Sequence, residues 1–127
     1  MKNKGSIIFF FVFFSNYLLA DSLEIQSKNI SLEKDTKVST FKGEVFVRTQ
    51  DGNTISSDYA KYYKESGIIK MEDNVVAKDK KNNIIKSSYA EYDEKTKILK
   101  TIGPTIINTS ENYLIKSEDI LADHNSK

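Results

Sequence analysis

The residues that could carry chemistry are few, and they form no complete catalytic or metal-binding pattern. His124 is the single histidine and the chain has no cysteine, so a zinc site of the usual kind lacks its ligands. Asp51-Gly52-Asn53 resembles the opening of a calcium loop, but the closing glutamate is missing at the required spacing, and a turn is expected. Ser57 beside Asp58 has no histidine to activate its hydroxyl. The sequence therefore predicts a binding protein without a cofactor rather than an enzyme.

The most informative feature of the chain is a repeat of thirty residues. Residues 55–84 align with residues 85–114 without a gap, and eight of the thirty positions are identical. Chance at ordinary residue usage would give roughly two identities. A third copy begins at Ile115, and a repeat architecture follows; two similar hairpins in an ordinary β-domain are the alternative. The identical pairs are Ile55 and Ile85, Ser57 and Ser87, Tyr59 and Tyr89, Ala60 and Ala90, Tyr62 and Tyr92, Ile68 and Ile98, Lys70 and Lys100, and Asn82 and Asn112.

Each unit is expected to hold a long, a short and a medium β-strand joined by tight turns. Alternation of apolar and charged residues is clearest over 38–49, and no segment sustains a helical period. Turn signals recur about every ten residues, which favours sheet. Residues 21–127 are therefore expected to be nearly all β. The expected strands include 21–32, as one or two short strands with a slip between them, 68–72 and 75–78 on either side of Asp73-Asn74, and 113–122 as the last strand.

The apolar residues of the repeat predict a shared inner surface. One unit cannot bury its apolar face alone, whereas units stacked in register merge their faces. Ala60, Tyr62, Ala90 and Tyr92 have the opposite parity, so either a bulge switches the face near Tyr59 or one tyrosine of each unit lies outside. The expected inner, groove-lining residues are Val45, Val47, Ile55, Tyr59, Met71, Val75, Ala77, Ile85, Tyr89, Ile107 and Ile115.

Residues 1–20 have the layout of a secretory signal peptide. Two lysines precede a wholly apolar run over 7–14, and cleavage is expected after Ala20. About fourteen apolar positions are short for a membrane span of about twenty, although an uncleaved anchor is the alternative. Residues 21–127 then form the exported domain. Without the two leading lysines it has 17 basic and 18 acidic residues (19 minus 2, against 18), a balance that argues against a nucleic-acid partner.

Two short motifs recur in the units and give the chain its likeness to a known family. The first unit has Phe41-Lys42-Gly43-Glu44-Val45, followed by Ile55-x-Ser57-Asp58-x-Ala60-x-Tyr62. The second has Asp73-Asn74-Val75, followed by Ser87-Ser88-Tyr89-Ala90-Glu91-Tyr92-Asp93. A third, partial copy runs from Gly103-Pro104-Thr105 to Lys116-Ser117-Glu118-Asp119-Ile120, with threonine in place of the usual valine and no tyrosine. Over about 23–122 the chain resembles the OstA-like unit of lipopolysaccharide-transport proteins.

The resemblance implies a β-jellyroll with an open, V-shaped section and a uniformly apolar interior. In that family the units join edge to edge across the periplasm, and the acyl chains of lipopolysaccharide slide through the groove towards the outer membrane. Members include the soluble bridge, LptA, the anchored inner-membrane component, LptC, and the front domain of the translocon, LptD. A cleaved leader followed directly by repeats fits LptA, or LptD if the chain continues beyond Lys127, whereas LptC needs an uncleaved anchor.

The expected partners are accordingly lipopolysaccharide and other Lpt jellyrolls, in the periplasm and with a link to the outer membrane. A structural β-solenoid segment of an exported surface or adhesive protein is the competing hypothesis. The two hypotheses differ in the interior, because a conduit needs an open apolar trough whereas a structural solenoid closes its interior and fills it. Lysines such as Lys61, Lys64 and Lys78 could meet a phosphorylated sugar head, although charged turns and strand faces are usually only solvated.

Overall fold

The chain folds into β-strands throughout the part that the structure describes. The computed structural model describes the backbone of residues 6–10, 16–20 and 23–123, and the side chains of residues 23–123. Over these residues there are twelve strands and no helix, so the expected all-β class is confirmed. The strands are β1 (Ser6–Phe10), β2 (Asn16–Ala20), β3 (Leu23–Ser27), β4 (Asn29–Glu33), β5 (Val38–Thr49), β6 (Thr54–Tyr63), β7 (Ile68–Lys78), β8 (Ile84–Asp93), β9 (Ile98–Thr101), β10 (Thr105–Asn108), β11 (Leu114–Ser117) and β12 (Ile120–Asp123).

The strands form one antiparallel sheet. Its long strands bend at a bulge near their middle, so that the sheet is divided into two half-sheets. The second part of β5 pairs with β3, and its first part pairs with β4. Strands β6, β7 and β8 likewise contribute one part to each half-sheet, and the sheet stays open, as expected of a jellyroll. The front half-sheet is residues 23–27, 45–49, 54–57, 75–78, 84–87, 105–108 and 114–117, and the back half-sheet is residues 29–33, 38–42, 59–63, 68–72, 89–93, 98–101 and 120–123.

The half-sheets meet along a line of corners, which we define as the one or two residues at which each strand bends from one half-sheet into the other. In β5 and β7 the corner is a pair of residues with positive φ, Gly43 and Glu44 (84° and 48°) and Asp73 and Asn74 (70° and 55°). Glycine, asparagine and aspartate are the residues that adopt this backbone most readily. The Asn74 side-chain amide also donates to an Asp58 carboxylate oxygen at 2.8 Å, which ties the corner of β7 to that of β6.

One serine recurs at the corner of every unit and explains part of the repeat. Ser27, Ser57, Ser87 and Ser117 lie thirty residues apart, and each is the last residue of its half-strand. Each hydroxyl donates to the carbonyl oxygen two residues further on, at 2.8, 3.1, 3.1 and 3.2 Å respectively. A short hydroxyl side chain satisfies a backbone acceptor where the sheet ladder is interrupted.

The corners also change three of the expected strand bounds. Strand β7 runs through Asp73-Asn74 as one bulged strand rather than as two strands. The strand expected over 113–122 is divided instead, because Glu118 and Asp119 form a further corner between β11 and β12. An Asp119 carboxylate oxygen there accepts a hydrogen bond from the Gly103 backbone N–H at 2.8 Å. The expected slip within 21–32 is confirmed at the break between β3 and β4.

A bulge in β6 and in β8 determines which tyrosines face inwards and which face outwards. Only one residue forms the corner in these strands, so Ser57 faces inwards, Tyr59 faces outwards and Ala60 faces inwards again. The same switch at Ser88 turns Tyr89 outwards. The prediction that Tyr59 and Tyr89 share the inner face is therefore wrong, and the bulge is the reason.

The expected leader contributes the two strands at the N-terminal side of the sheet. Strand β1 pairs with β4, and β2 pairs with β3. The expected cleavage after Ala20 involves Asp21, which lies outside the described residues, and cleavage stays a prediction. The described residues contain no helix that has the length and the hydropathy needed to cross a membrane.

Candidate apolar binding site

The inner face of the front half-sheet carries one continuous row of apolar residues. Cross-strand register joins Val47 to Ile55, Ala77, Ile85, Ile107 and Ile115 in turn, and we call these six residues the groove row. Exposure of its side chains rises along the row, from 0% at Val47, 2% at Ile55 and 7% at Ala77 to 45% at Ile115. Ile85 and Ile107 are half-buried. The row therefore begins in a closed core and ends in solvent.

The interior between β3 and β7 is filled by side chains. On the back half-sheet, register places Phe41 beside Ala60, Met71 and Ala90, so that large and small residues alternate. All four are completely buried, and they belong to one core cluster with Val45, Val47 and Val75. Such interdigitation leaves no trough at this end. The expectation of an open groove along the whole chain is therefore wrong for this part.

A small cavity lies where the filled interior ends. It has a volume of about 70 Å³ and is bounded by Ile55, Ala77 and Ile85 of the front half-sheet. Tyr92 and Leu99 of the back half-sheet face them across the cavity, together with Ala122. Pockets for small ligands usually measure about 300–1,000 Å³, so this cavity can take only part of an acyl chain unless the half-sheets separate.

Polar groups surround one end of this cavity. The Asn53 backbone N–H donates to the Thr49 hydroxyl at 3.2 Å, and Asn83 donates to the Asp79 carboxylate at 2.9 Å. The Asn83 side-chain oxygen in turn accepts from the Ser110 backbone N–H at 2.9 Å. The first two bonds stabilise the turns 49–53 and 79–83, and the third joins the turn 79–83 to the turn 109–112. We call this set of turns the polar collar.

Tyr92 lies between the apolar cavity and the polar collar. Burial raises the pKa of its phenol to about 12, and the negative charges of Asp51, Glu94 and Asp93 act in the same direction. A hydrogen bond with Thr49 opposes the shift. The phenol therefore stays neutral at all ordinary pH values, as an apolar ligand beside it would require.

The interior also contains one polar ledge, which the expected uniformly apolar surface did not include. The hydroxyls of Thr101 and Thr105 are buried and lie 2.7 Å apart. Thr101 accepts a hydrogen bond from the Ile120 backbone N–H at 3.0 Å, and Thr105 donates to the Gly103 carbonyl at 2.9 Å. Because both hydroxyls are satisfied within the protein, the ledge interrupts the apolar surface without demanding a polar ligand.

The sheet ends at β11 and β12 with apolar side chains in solvent. Among residues 23–123, neither strand has a partner on its outer side. Tyr113, Leu114, Ile115 and Leu121 are 64%, 59%, 45% and 65% exposed. Open strand edges and clusters of exposed apolar residues are the usual marks of an interaction surface.

The eleven residues expected to line a groove are thus distributed unequally. Tyr59 and Tyr89 lie outside, as described above. Sequence reasoning left out Tyr92 and Leu99, which bound the cavity, although the repeated Ala-x-Tyr motif could have identified Tyr92 once the face switch was known. Of the remaining nine, which all face inwards, Val45, Val47, Ile55, Met71, Val75 and Ala77 are buried, Ile85 and Ile107 are half-buried, and Ile115 is exposed.

The described part of the chain holds no group of three or more histidine, cysteine or acidic residues placed to bind a metal ion. His124, which was weighed as a ligand, lies outside the described residues. What residues 23–123 present for binding is an apolar inner face that opens towards one edge.

An open β-jellyroll with an apolar inner face is the class of protein that this fold and this site define. A family model described as "Lipopolysaccharide-assembly, LptC-related" matches residues 20–115, which is most of the chain. The chain belongs to this family, and the resemblance to lipopolysaccharide-transport proteins is confirmed. A search of curated proteins found no match.

Proposed function

We propose that this chain binds the acyl chains of lipopolysaccharide against its inner face and passes them on without chemistry. The observation that supports this most is the groove row, whose apolar side chains pass from full burial to 45% exposure at Ile115. An apolar surface that is partly open can receive hydrocarbon, and each methylene removed from water contributes about 0.8 kcal/mol. Several chains of a lipid together would therefore supply enough energy to hold it.

The lipid is expected at the open end of the interior. Ile85, Ile107 and Ile115 offer continuous apolar surface there, whereas Phe41 and Met71 fill the interior at the other end. The cavity beside Tyr92 extends this surface inwards. An acyl chain can thus lie along the strands β8, β10 and β11 and reach the cavity with its end.

The polar collar gives the lipid head a place beside the open end. Lys78 borders the cavity, and Lys80 lies against Gly52, where an added Cβ would come within 3.1 Å of the Lys80 side chain. Lysine is a common partner of phosphate groups. Lys61, in contrast, lies on the outer face of the back half-sheet with Lys70 and is too far removed to meet the same head group.

The free edge at β11 and β12 suits the addition of a strand from another Lpt jellyroll. Main-chain groups on the outer side of both strands are unpaired by any strand among residues 23–123, and the groove row reaches this edge at Ile115. A partner that adds its strands there would extend the sheet and the apolar row together. The lipid could then move from one chain to the next without entering water.

The leader decides which Lpt role the chain takes. Cleavage after Ala20 would make it a periplasmic protein, either an LptA-like bridge or the front domain of an LptD, which is the role we propose. Retention of the leader would make it an anchored inner-membrane component, the role that the description of the matching family favours. Mass spectrometry of the protein purified from cell envelopes distinguishes these outcomes by the identity of the first residue.

The binding proposal is tested by two substitutions of neighbouring residues on opposite faces. Ile107 faces inwards and Ile106 faces outwards, and neither is completely buried. Ile107→Asp should weaken binding of purified lipopolysaccharide about ten-fold or more, because an unpaired carboxylate against hydrocarbon costs at least about 1–3 kcal/mol. Ile106→Asp is the matched control and should bind as the parent does in a titration below the concentration at which lipopolysaccharide aggregates, where no bilayer surface is present. Equal affinity of both variants would refute the proposal.

A structural β-solenoid remains the second candidate, and the filled interior around Phe41 and Met71 favours it. In that case the open end would serve only to stack further units. The lipid titration distinguishes the two functions. A purely structural segment should bind no lipopolysaccharide as long as the lipid concentration stays below the range in which micelles adsorb proteins non-specifically.

A further inference from the structure

The outer surface of the front half-sheet combines positive charge with exposed apolar side chains. Arg48, Lys78, Lys86 and Lys116 are all exposed and point outwards from it. Among the strand residues of this surface, Glu24 is the one acidic residue, and it lies on β3 at the opposite edge from β11. The surface is thus basic, although the chain as a whole is nearly neutral.

Apolar residues lie between these positive charges. Cross-strand register places Ile106 directly between Lys86 and Lys116, and its side chain is 38% exposed. Leu114, which is 59% exposed, ends the next row of the same surface. We call the outer surface of residues 75–78, 84–87, 105–108 and 114–117 the basic–apolar face.

The outer surface of the back half-sheet has a different composition and provides a natural comparison. Lys70 lies opposite Glu91 in the register, and Glu72 lies between Tyr59 and Tyr89. Acidic residues are therefore interspersed with the lysines there, although Lys61 and Lys70 lie opposite each other. The basic character of the front surface is a property of that surface and does not result from lysine being common in the chain.

Exposed isoleucine and leucine flanked by lysines match the chemistry of an anionic bilayer surface. Apolar side chains enter the region between head groups and acyl chains, and lysines reach back to the lipid phosphates. A nucleic acid would be attracted by the charge but would leave the exposed Ile106 and Leu114 without a partner. We propose that the basic–apolar face docks onto the surface of an anionic lipid bilayer.

This docking goes beyond the proposed transport of lipid, because it uses the opposite face of the same strands. The groove row faces inwards from β8, β10 and β11, whereas the basic–apolar face points outwards from them. A chain resting on a bilayer in this way would hold the open end of its interior next to the membrane surface.

Two fluorescent probes test the docking on the full chain. The sequence has no cysteine, so Leu114→Cys on the basic–apolar face and Leu121→Cys on the back half-sheet can each carry one environment-sensitive dye. Both positions are similarly exposed, at 59% and 65%, and both chains keep the same leader. On vesicles of phosphatidylcholine with phosphatidylglycerol, the dye at position 114 should shift to the blue and be quenched by spin-labelled lipid, whereas the dye at 121 should not.

Charge variants identify the source of the binding. Lys86→Gln combined with Lys116→Gln should weaken the response of the dye at 114 about 25-fold, at about five-fold per lysine. Lys61→Gln combined with Lys70→Gln is the matched control and should change nothing, and pure phosphatidylcholine vesicles should give no response. An equal response of the two dyes, an equal response to neutral vesicles, or a dye at 114 that is shielded only by a second copy of the chain would overturn the proposal.

Discussion

The two complete units of the repeat keep the same frame but fill their interiors differently. Both have the corner serine, Ser57 or Ser87, and the buried Ala-x-Tyr pair that follows it. In the first unit Met71 and Val75 complete a sealed apolar core. Thirty residues later, Thr101 and Thr105 stand at the same positions and form the polar ledge. The shared serine and Ala-x-Tyr residues thus determine how the sheet bends. The residues at positions 71 and 75 or 101 and 105 determine whether the interior beside them is a sealed apolar core.

The largest difference between the two regions is expected in their contribution to stability. Met71→Ala should lower the free energy of unfolding by about 2–5 kcal/mol, because it leaves a cavity in a completely buried site. Ile115→Ala, at the open end of the groove row, should lower it by less than about 0.5 kcal/mol. Urea denaturation of both variants measures the contrast. Losses of equal size would show that the open end is packed as tightly as the core.

The second expected effect is a pH dependence of stability that arises from Tyr92, which lies between the closed core and the open end. Tyr92 has a pKa of about 12 in the folded chain, against 10.0 ordinarily, since burial disfavours the phenolate. The folded state therefore holds this proton more tightly than the unfolded state does. The resulting stability, on the order of 2 kcal/mol, is fully present below pH 10 and is lost as the pH rises towards 12. Tyr92→Phe should reduce the dependence of the urea denaturation midpoint on pH between pH 10 and 12. An unchanged pH dependence in this variant would contradict the assignment to Tyr92.

A smaller effect is expected at the corners that both regions share. Ser57→Ala should destabilise the chain by about 0.5–1.5 kcal/mol, because the buried Tyr59 carbonyl loses its 3.1 Å hydrogen bond. Ser117→Ala removes the equivalent bond at an exposed corner, where water can replace it, and should cost clearly less. Thermal unfolding of the two variants compares them. A larger loss at Ser117 would mean that the open end depends on its corner more than the closed end does.

The smallest effect is expected from removing the polar ledge. The double substitution Thr101→Val with Thr105→Val removes the 2.7 Å bond but also leaves the half-buried Ile120 N–H without its acceptor, so it should cost about 0.5–1 kcal/mol. Thr105→Val alone keeps the Ile120 N–H bonded to Thr101 and should cost about the same. A double-mutant cycle in urea measures the coupling between the two hydroxyls. A strongly destabilised double variant would show that the ledge supports the fold.

The sequence was a sufficient guide to the strands, because alternation and turn residues report on the backbone directly. The exposed and buried faces of β5 followed from Phe41, Val45 and Val47, and the structure agrees. The sequence did not reveal that one corner residue, Asp58 or Ser88, reverses the face in β6 and β8. The opposite parity of Ala60 and Tyr62 indicates either a bulge or an outward tyrosine, but parity alone cannot say which tyrosine of the unit faces outwards.

The candidate site was harder to predict than the fold for a related reason. Parity groups the six residues of the groove row, which the strand register also joins, but it cannot tell a lining residue from one that fills the interior. Whether Met71 lines a trough or closes it depends on what packs against it, and its neighbours in the core include Phe41, thirty residues away in the sequence. The opening at Ile107 and Ile115 likewise results from the end of the sheet rather than from any local pattern.

Photocrosslinking along the groove row tests the central claim most directly. A photoreactive residue placed singly at Val47, Ile55, Ala77, Ile85, Ile107 or Ile115 reports which parts of the inner face touch lipopolysaccharide in cells. The account predicts the strongest adducts at positions 85, 107 and 115, weaker adducts at 55 and 77, which bound the cavity, and none at the completely buried Val47. An absence of lipid adducts at every position, or equal adducts along the whole row, would contradict a closed interior that opens towards β11 to receive acyl chains.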